Sequence, residues 1–474
     1  MVPGAQFFDG AELVGVDGAL GRDTIAAIST PPGEGALVVI RCSGPRAVEV
    51  LCELGRLGSA PADRRAVVCR LFDGAELLDE VVALAFYGPR SFTGEDTVEI
   101  SCHGGKVTPQ RIVDALLSRG LRVAEPGEFT RRALENGRLD LVQAEAIADI
   151  IHAESVEAQK LAQEHLSGRL SASLLAIREQ LFELVVLVEA AIDFALEEHV
   201  YTITAREIAE RVSPIQDAIG GLLATYDDGR LRHDGVRLAI VGPPNAGKSS
   251  LLNALLGEER AIVTDVAGTT RDYIEESCTI RGVLFRLVDT AGIRATDDVV
   301  EAMGVERSRV MAERADVVLI VGDSRYPHEL EPLMEAFGAR VHGVLWNKSD
   351  LVSSAPRVDF IASEGPSSSP QAFVSVREAS SLSAVESLLV SLASRAGYRS
   401  SEGSVLISRA RHRDALMEAD RLLENAVNAG YMGLDHSFIA LDLRAAMDAV
   451  AGLTGAITSD DILNRIFSGF CIGK

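Results

Sequence analysis

The chain has 474 residues, 47% hydrophobic and 24% charged, enough for about three domains with ordinary cores. Its 69 acidic and 46 basic residues give a formal net charge of −23, which excludes a protein whose whole surface grips nucleic-acid phosphates; any such role needs a local basic patch or a basic partner. Six scattered cysteines without C-x-x-C spacing exclude a zinc-finger or disulfide framework and point to a reducing compartment. The first basic residue is Arg22, and the most apolar stretch, Leu181–Ala195, is broken by Glu183, Glu189 and Asp193. Neither a signal peptide nor a membrane span is expected, so the reading is soluble and cytoplasmic.

Residues 1–22 read as an N-terminal extension. A mixed α+β domain is expected over 23–136. Thr24–Ile28 and Leu37–Arg41 read as strands joined by the turn Pro31-Pro32-Gly33-Glu34-Gly35, with further strands at Val81–Phe86 and Thr97–Ser101. Pro109–Leu117 reads as a helix with Thr108 as its cap. Residues 137–234 form the first part of a helical domain, where Leu174, Ile177, Leu181, Leu184, Val188 and Ile192 step by three and four along one face. Strands return in an α/β domain over 235–397. Helical periodicity resumes in 398–474, with stripes at Leu416, Ala419, Leu423, Ala426 and at Ile439, Leu443, Ala446, Val450. Helices on both sides of a self-contained α/β unit predict an insertion, with the two helical parts packed as one bundle; two independent helical regions are the alternative.

Gly242-Pro243-Pro244-Asn245-Ala246-Gly247-Lys248-Ser249 fits G-x-x-x-x-G-K-[ST], between the apolar strand Leu238–Val241 and a helix Ser249–Leu256 that Gly257 should stop in a left-handed cap. Backbone amides at the helix start make a nest for phosphate oxygens; Lys248 neutralises the outer phosphates and Ser249 holds magnesium. Three further motifs follow in order. Gly268-Thr269-Thr270-Arg271-Asp272 offers Thr270 as a second magnesium ligand, and Asp289-Thr290-Ala291-Gly292 ends in a glycine amide able to face the outermost phosphate. Asn347-Lys348-Ser349-Asp350 offers the Asp350 carboxylate to the N1–H and 2-amino group of guanine, a pattern adenine lacks, which selects GTP. Ser375-Val376-Arg377 stands where many GTPases carry Ser-Ala-Lys to lean on the base, with both the Ala and the Lys changed. Ile293 replaces the glutamine that Ras-like GTPases use to orient the attacking water, so another group must act, and Asp297, Asp298 and Glu301 are the nearby acidic candidates.

Five stretches, together with these motifs, carry a resemblance that spans Asp23 to the last residue. They are Asp23-Thr24-Ile25 with Thr30-Pro31-Pro32-Gly33; Ser91-Phe92-Thr93-Gly94-Glu95-Asp96 with His103-Gly104-Gly105; Pro126-Gly127-Glu128-Phe129-Thr130-Arg131-Arg132-Ala133; Leu139-Asp140-Leu141 with Gln143-Ala144-Glu145-Ala146; and the terminal Cys471-Ile472-Gly473-Lys474. The chain resembles the MnmE (TrmE) family of tRNA-modification GTPases. The resemblance implies a multidomain fold: an α+β folate-binding-like N-terminal domain, an α-helical bundle, and an inserted α/β P-loop (Ras-like) GTPase domain. It implies GTP binding by Asn245, Ala246, Gly247, Lys248, Ser249, Ser250, Thr264, Asp265, Val266, Ala267, Gly268, Thr269, Thr270, Asp289, Thr290, Ala291, Gly292, Asn347, Lys348 and Asp350.

Further implications concern the chemistry. Potassium would be held by Asn245 and by Thr264, Val266 and Thr269, and Glu301 would be the catalytic glutamate that handles water. Folate of the 5-formyltetrahydrofolate type would be bound by Arg41, Glu99, Arg138 and Lys474. Arg138 stands where some members have lysine, and Ala195 where many have proline. Cys471 has two readings, a small buried hydrophobe or a thiol beside the folate. The family forms homodimers through its N-terminal domain and works with MnmG (GidA), an FAD-containing protein, in a heterotetramer. That complex adds an aminomethyl or carboxymethylaminomethyl group to carbon 5 of the wobble uridine of tRNA. A ribosome-assembly or regulatory GTPase, and a folate- and GTP-dependent scaffold without useful hydrolysis, are the alternatives.

Overall fold

The structure is a computed structural model that describes residues 23–193, 203–257, 276–288, 313–331, 333, 342–352, 359–361, 369–378, 381–399, 405–456 and 460–473. It divides into two compact units, residues 1–140 with 458–474, and residues 141–457.

The first unit is built on a six-stranded sheet. Its elements are β1 (Ile25–Ile28), β2 (Leu37–Ser43), α1 (Ala47–Gly55), β3 (Val67–Asp73), β4 (Glu76–Phe86), β5 (Thr97–His103), α2 (Val107–Leu117), β6 (Arg122–Val123) and α3 (Glu128–Glu135). The strand order is β3-β4-β5-β2-β1-β6, antiparallel except for β1 beside β6. Alternation does the work: Val38, Ile40 and Cys42 of β2 and Val98, Ile100 and Cys102 of β5 are buried and meet Leu51 and Leu54 of α1 and Ile112 and Leu116 of α2 in one core. The structure adds α1, β3, β6 and α3 to the elements expected from the sequence. Strand β3 carries a weak signal because its run Val-Val-Cys-Arg-Leu-Phe-Asp has only Cys69 and Leu71 buried. Helix α2 begins at Val107, with Lys106 rather than Thr108 at its cap position.

The C-terminal helix Asp460–Phe467 and the tail after it belong to this same unit. Ile472 forms an antiparallel bridge with Pro126, Ser29 Oγ donates to Gly473 O at 3.0 Å, and Arg131 Nη1 donates to Asn464 Oδ1 at 3.0 Å. A Cβ on Gly473 would lie 2.4 Å from Ile28 O, so the tail needs glycine to lie this close to β1.

The second unit begins with α4 (Leu141–His152), α5 (Val156–Leu166), α6 (Arg169–Asp193), α7 (Ala205–Leu223) and α8 (Tyr226–Asp234). Ser155 caps α5, accepting from Ala158 N at 3.1 Å, and Thr204 with Glu207 closes a capping box on α7. The α/β body follows as β7 (Val236–Val241), α9 (Lys248–Leu255), β8 (Glu276–Ile280), β9 (Val283–Leu287), β10 (Val317–Asp323), β11 (His342–Asn347), β12 (Asp359–Ile361), β13 (Gln371–Phe373) and α10 (Leu382–Arg395). Helices α11 (Ala410–Tyr431) and α12 (His436–Thr454) complete the unit. Leu174, Ile177, Leu181, Leu184 and Val188 of α6 share one buried core with Leu416, Ala419 and Leu423 of α11 and Ile439, Leu443, Ala446 and Val450 of α12. The two helical segments are therefore one packed body, and the α/β body is inserted between them.

The seven-stranded sheet runs β12-β13-β11-β10-β7-β9-β8, with β13, β11, β10, β7 and β9 parallel and an antiparallel strand at each edge. Leu238–Val241 of β7 and Val317–Val321 of β10 are buried on both faces, against α9 and α10 on one side and Leu330 and Leu333 on the other, so they read as apolar runs. Helix α8 ties this body to the bundle. Arg230 Nη2 meets Asp316 Oδ1 at 2.8 Å, Arg286 Nε donates to Asp234 O at 2.6 Å, and His233 bridges Asp149 Oδ1 at 3.0 Å and Asp234 Oδ1 at 2.6 Å.

Candidate active site

The carboxyl ends of β7, β10 and β11 open into a cleft of about 450 Å³, the position where parallel α/β sheets bind ligands. Gly242 follows β7 so closely on β10 that a Cβ would sit 2.1 Å from Val321 O. Gly247, at φ 98, starts α9. A Cβ there would lie 2.2 Å from Asn347 Nδ2. Between them, Asn245 holds φ 59. The Lys248 ammonium is held over the mouth of its own loop by Gly242 O at 3.0 Å and Pro243 O at 2.8 Å. Helix α9 closes at Leu256 with φ −89, not in the left-handed region at Gly257 as the spacing suggested.

The second motif is bonded to the first. Asn347, 4% exposed, donates from Nδ2 to Ala246 O at 2.9 Å, and its Oδ1 accepts from Lys348 N at 2.8 Å and Val376 N at 3.2 Å. Lys348, itself at φ 60, reaches back so that Nζ donates to Asn245 O at 2.7 Å. Asp350 lines the cleft next to Leu351, and Ser375, Val376 and Arg377 form its far wall. One buried amide thus joins the phosphate loop, the Asn-Lys-x-Asp turn and the Ser-Val-Arg segment.

Of the residues expected here, Asn245, Gly247, Lys248, Ser249, Ser250, Asn347, Lys348 and Asp350 line one cleft, and Ala246 contributes its carbonyl from a buried position. Thr264, Asp265, Val266, Ala267, Gly268, Thr269, Thr270, Asp289, Thr290, Ala291, Gly292, Ile293 and Glu301 lie outside the described residues. Arg325 lines the same cleft and was not anticipated, since an arginine two residues past an apolar strand carries no spacing signal.

In the first unit, strand register sets Arg41 of β2 directly opposite Glu99 of β5. Arg41 Nη2 and Nε donate to Glu99 Oε1 at 2.8 and 3.0 Å, and the guanidinium lies 5.0 Å from the Phe92 ring centroid and 5.7 Å from that of Phe129. Arg138 Nε donates to Ser91 O at 3.2 Å, beside Phe92. Arg41 also pairs with Ala27 of β1, one residue from the Ile28–Ser29 step on which the tail docks. Cys471 is exposed there, and Gly127 N donates to its carbonyl at 3.5 Å. The buried reading of Cys471 is not what the structure shows. Lys474 lies outside the described residues. Among the described residues no helix is long and apolar enough to cross a membrane, and no cluster of His, Cys, Asp or Glu could hold a metal ion.

A phosphate loop and an Asn-Lys-x-Asp turn hydrogen-bonded across one cleft, on a largely parallel sheet, define a P-loop guanine-nucleotide-binding protein. Two family models match the chain, the GTP-binding protein TrmE N-terminus over residues 24–138 and the MnmE helical domain over residues 141–471. The tRNA modification GTPase MnmE of Chlorobium phaeobacteroides is 42% identical over 466 residues, covering 95% of this chain and 97% of that protein. Proteins of the same description from Heliobacterium modesticaldum and Lactiplantibacillus plantarum are 42% and 39% identical, each over 95% of this chain and over 99% and 98% of their own lengths. The chain belongs to the MnmE family of tRNA-modification GTPases. The solved G domain of the T. maritima FeoB iron transporter covers 33% of this chain and 98% of its own at 23% identity, with a TM-score of 0.24, too low to bear on fold or function.

Proposed function

We propose that this chain is the potassium-dependent, GTP-hydrolysing subunit of a tRNA-modifying complex. It works as a homodimer in a heterotetramer with an FAD-containing partner of the MnmG (GidA) type, in the cytoplasm. The complex adds an aminomethyl or carboxymethylaminomethyl group to carbon 5 of the wobble uridine. The observation that carries this reading is the bonding of Asn347 and Lys348 to the phosphate loop, in a chain related over 95% of its length to tRNA modification GTPases. The net charge of −23 fits a division of labour in which the partner supplies much of the tRNA-binding surface.

The chain's residues divide the work. Asp350 accepts from the guanine edge, and Asn347 holds the base-reading turn against the phosphate loop. Lys248 stands at the mouth of a loop whose carbonyls already orient its ammonium, ready for the outer phosphates. Ser249, exposed on the first turn of α9, fits a magnesium ligand, with Thr270 as its companion. Asn245 fits potassium, because an exposed amide on a left-handed residue places an oxygen donor at the rim of the phosphate loop; Thr264, Val266 and Thr269 would complete the shell. A monovalent cation there supplies positive charge beside the phosphates, the service an arginine finger gives elsewhere. Glu301 would orient the attacking water in the absence of a glutamine at Ile293.

The Arg41–Glu99 pair, 15% and 26% exposed with the Phe92 and Phe129 rings near the guanidinium, fits a flat heterocycle with donor and acceptor edges. With Arg138 and Lys474 it would hold 5-formyltetrahydrofolate or a related tetrahydrofolate, which supplies the one-carbon unit when bound. Exposed Cys471 stands on the same tail, available to that chemistry. Two measurements test the proposal. GTP turnover should be much faster in potassium than in sodium, and equal slow rates would overturn the potassium mechanism. Mass spectrometry of tRNA nucleosides from cells lacking the chain should show unmodified wobble uridine; an intact modification overturns the tRNA role.

A further inference from the structure

Strand β10 is apolar until its last residue, Asp323, which is 6% exposed. A carboxylate so placed loses hydration and must find donors. Register puts it opposite Asn347, and Ser324 secures that pairing by donating from N at 2.9 Å and Oγ at 2.7 Å to Asn347 O. Two cations then converge on the one carboxylate. Arg325 donates from Nε to Oδ1 at 3.0 Å and from Nη2 to Oδ2 at 2.7 Å, and Lys348 Nζ donates to Oδ2 at 2.9 Å. The Arg325 backbone N adds a fourth bond, to Oδ1 at 3.0 Å. The same Lys348 ammonium holds the Asn245 carbonyl at the crest of the phosphate loop.

We infer that Asp323 is a positioning residue for GTP: it anchors Lys348 on the Asn245 carbonyl, and Arg325, docked on the same carboxylate, locks Asp323 in place. The inference rests on the reading of this cleft as the GTP site. Lys348 has a flexible four-carbon stem whose free rotamers would have to be frozen on each binding event. An ammonium already pinned between a fixed carboxylate and the loop has that ordering done beforehand, and the left-handed Asn245 is held in the same step. An isolated surface pair would contribute little, but Asp323 is buried and its donors are geometrically aligned.

The test is a double-mutant cycle on the full-length protein, read as the dissociation constant of a fluorescent GDP analogue with magnesium. Asp323→Asn should weaken binding about tenfold, while Asp323→Asn with Lys348→Met should bind within about twofold of Lys348→Met alone. Losses that multiply in the double variant, or an Asp323→Asn protein within about twofold of wild type, overturn the inference while leaving the cleft assignment intact. A wild type that binds no guanine nucleotide overturns the cleft assignment itself. If Asp323→Asn unfolds the protein, Arg325→Ala serves in its place, since Arg325 sits at the exposed end of the network. A weakening of about threefold that vanishes in the Lys348→Met background supports the coupling, and one that persists there overturns it.

Discussion

Replacing Gly247 by alanine should disable the cleft while leaving the fold in place. At φ 98 an alanine is strained by about 1–2 kcal/mol. Its Cβ would sit 2.2 Å from Asn347 Nδ2, so the amide must move. Movement breaks the 2.9 Å bond to Ala246 O and loosens the contacts of Oδ1 with Lys348 N and Val376 N, each worth about 1 kcal/mol. In the nucleotide-free protein the loop can relax and recover part of this loss. With phosphates in place it cannot, so the cost falls on binding. A net penalty of about 3 kcal/mol corresponds to roughly a hundredfold weaker nucleotide. Titration of Gly247→Ala with a fluorescent GDP analogue, beside a melting curve of the nucleotide-free protein, measures both halves of the argument. Affinity within about threefold of wild type would refute the claim that Gly247 and Asn347 need this close approach.

Asp350→Asn should weaken GTP and admit xanthosine triphosphate, because the amide reverses the hydrogen-bond polarity facing the base; competition binding with the two nucleotides checks this, and an unchanged guanine preference contradicts it. His233 gives a pH signature. Burial alone would lower its pKa, but hydrogen bonds to the Asp149 and Asp234 carboxylates outweigh that and push it up to about 9. The folded value lies above the unfolded one, so this stabilisation is fully present below about pH 6.5, worth up to about 3 kcal/mol, and is lost as pH rises through about 9. Calorimetry should therefore find His233→Gln less stable than wild type near about pH 6 and close to it near about pH 10, whereas a pH-independent gap would disprove the linkage. Arg132, 3% exposed, holds Asp23 Oδ1 at 2.7 Å, Glu128 Oε1 at 2.9 Å and Glu95 Oε2 at 3.2 Å. Arg132→Met leaves Asp23 and Glu128 with Arg122 as their cation and Glu95 with the Ser43 hydroxyl, and should cost about 3 kcal/mol in urea unfolding of the N-terminal unit; a loss under about 1 kcal/mol would be inconsistent with that network.

What was legible in the sequence follows from how locally each constraint acts. The phosphate loop could be read because its chemistry fixes residue type and spacing together, and Gly242, Gly247 and Lys248 stand where the chemistry needs them. The bundle could be read because one face of α6 must be apolar at helical spacing whatever it packs on. Asp323 could not, since its importance comes from strand register, which sets it beside Asn347 across 24 positions of chain that the pattern of either strand does not reveal. Helix α8 was equally hidden. Its sequence Tyr-Asp-Asp-Gly-Arg-Leu-Arg-His-Asp has little apolar periodicity, because its role is to carry charged side chains to partners on two bodies. The tail was grouped with the second helical segment by proximity in sequence, but its contacts are with Ser29 and Pro126 of the first unit.

The insertion also has a cost paid during synthesis. Gln216 on α7 donates to Asp420 on α11 at 3.0 Å, across 204 residues of chain. At roughly 5–20 residues per second, the ribosome needs roughly 10–40 s to deliver the second side of that contact after the first. Throughout that interval the stripe of Leu174, Ile177, Leu181 and Leu184 has no α11 or α12 to cover it, while the α/β body, whose core is its own, is free to fold. A nascent chain stalled between α10 and α11 would present a finished nucleotide cleft on an open, adhesive half-bundle, the form of this protein most in need of a chaperone.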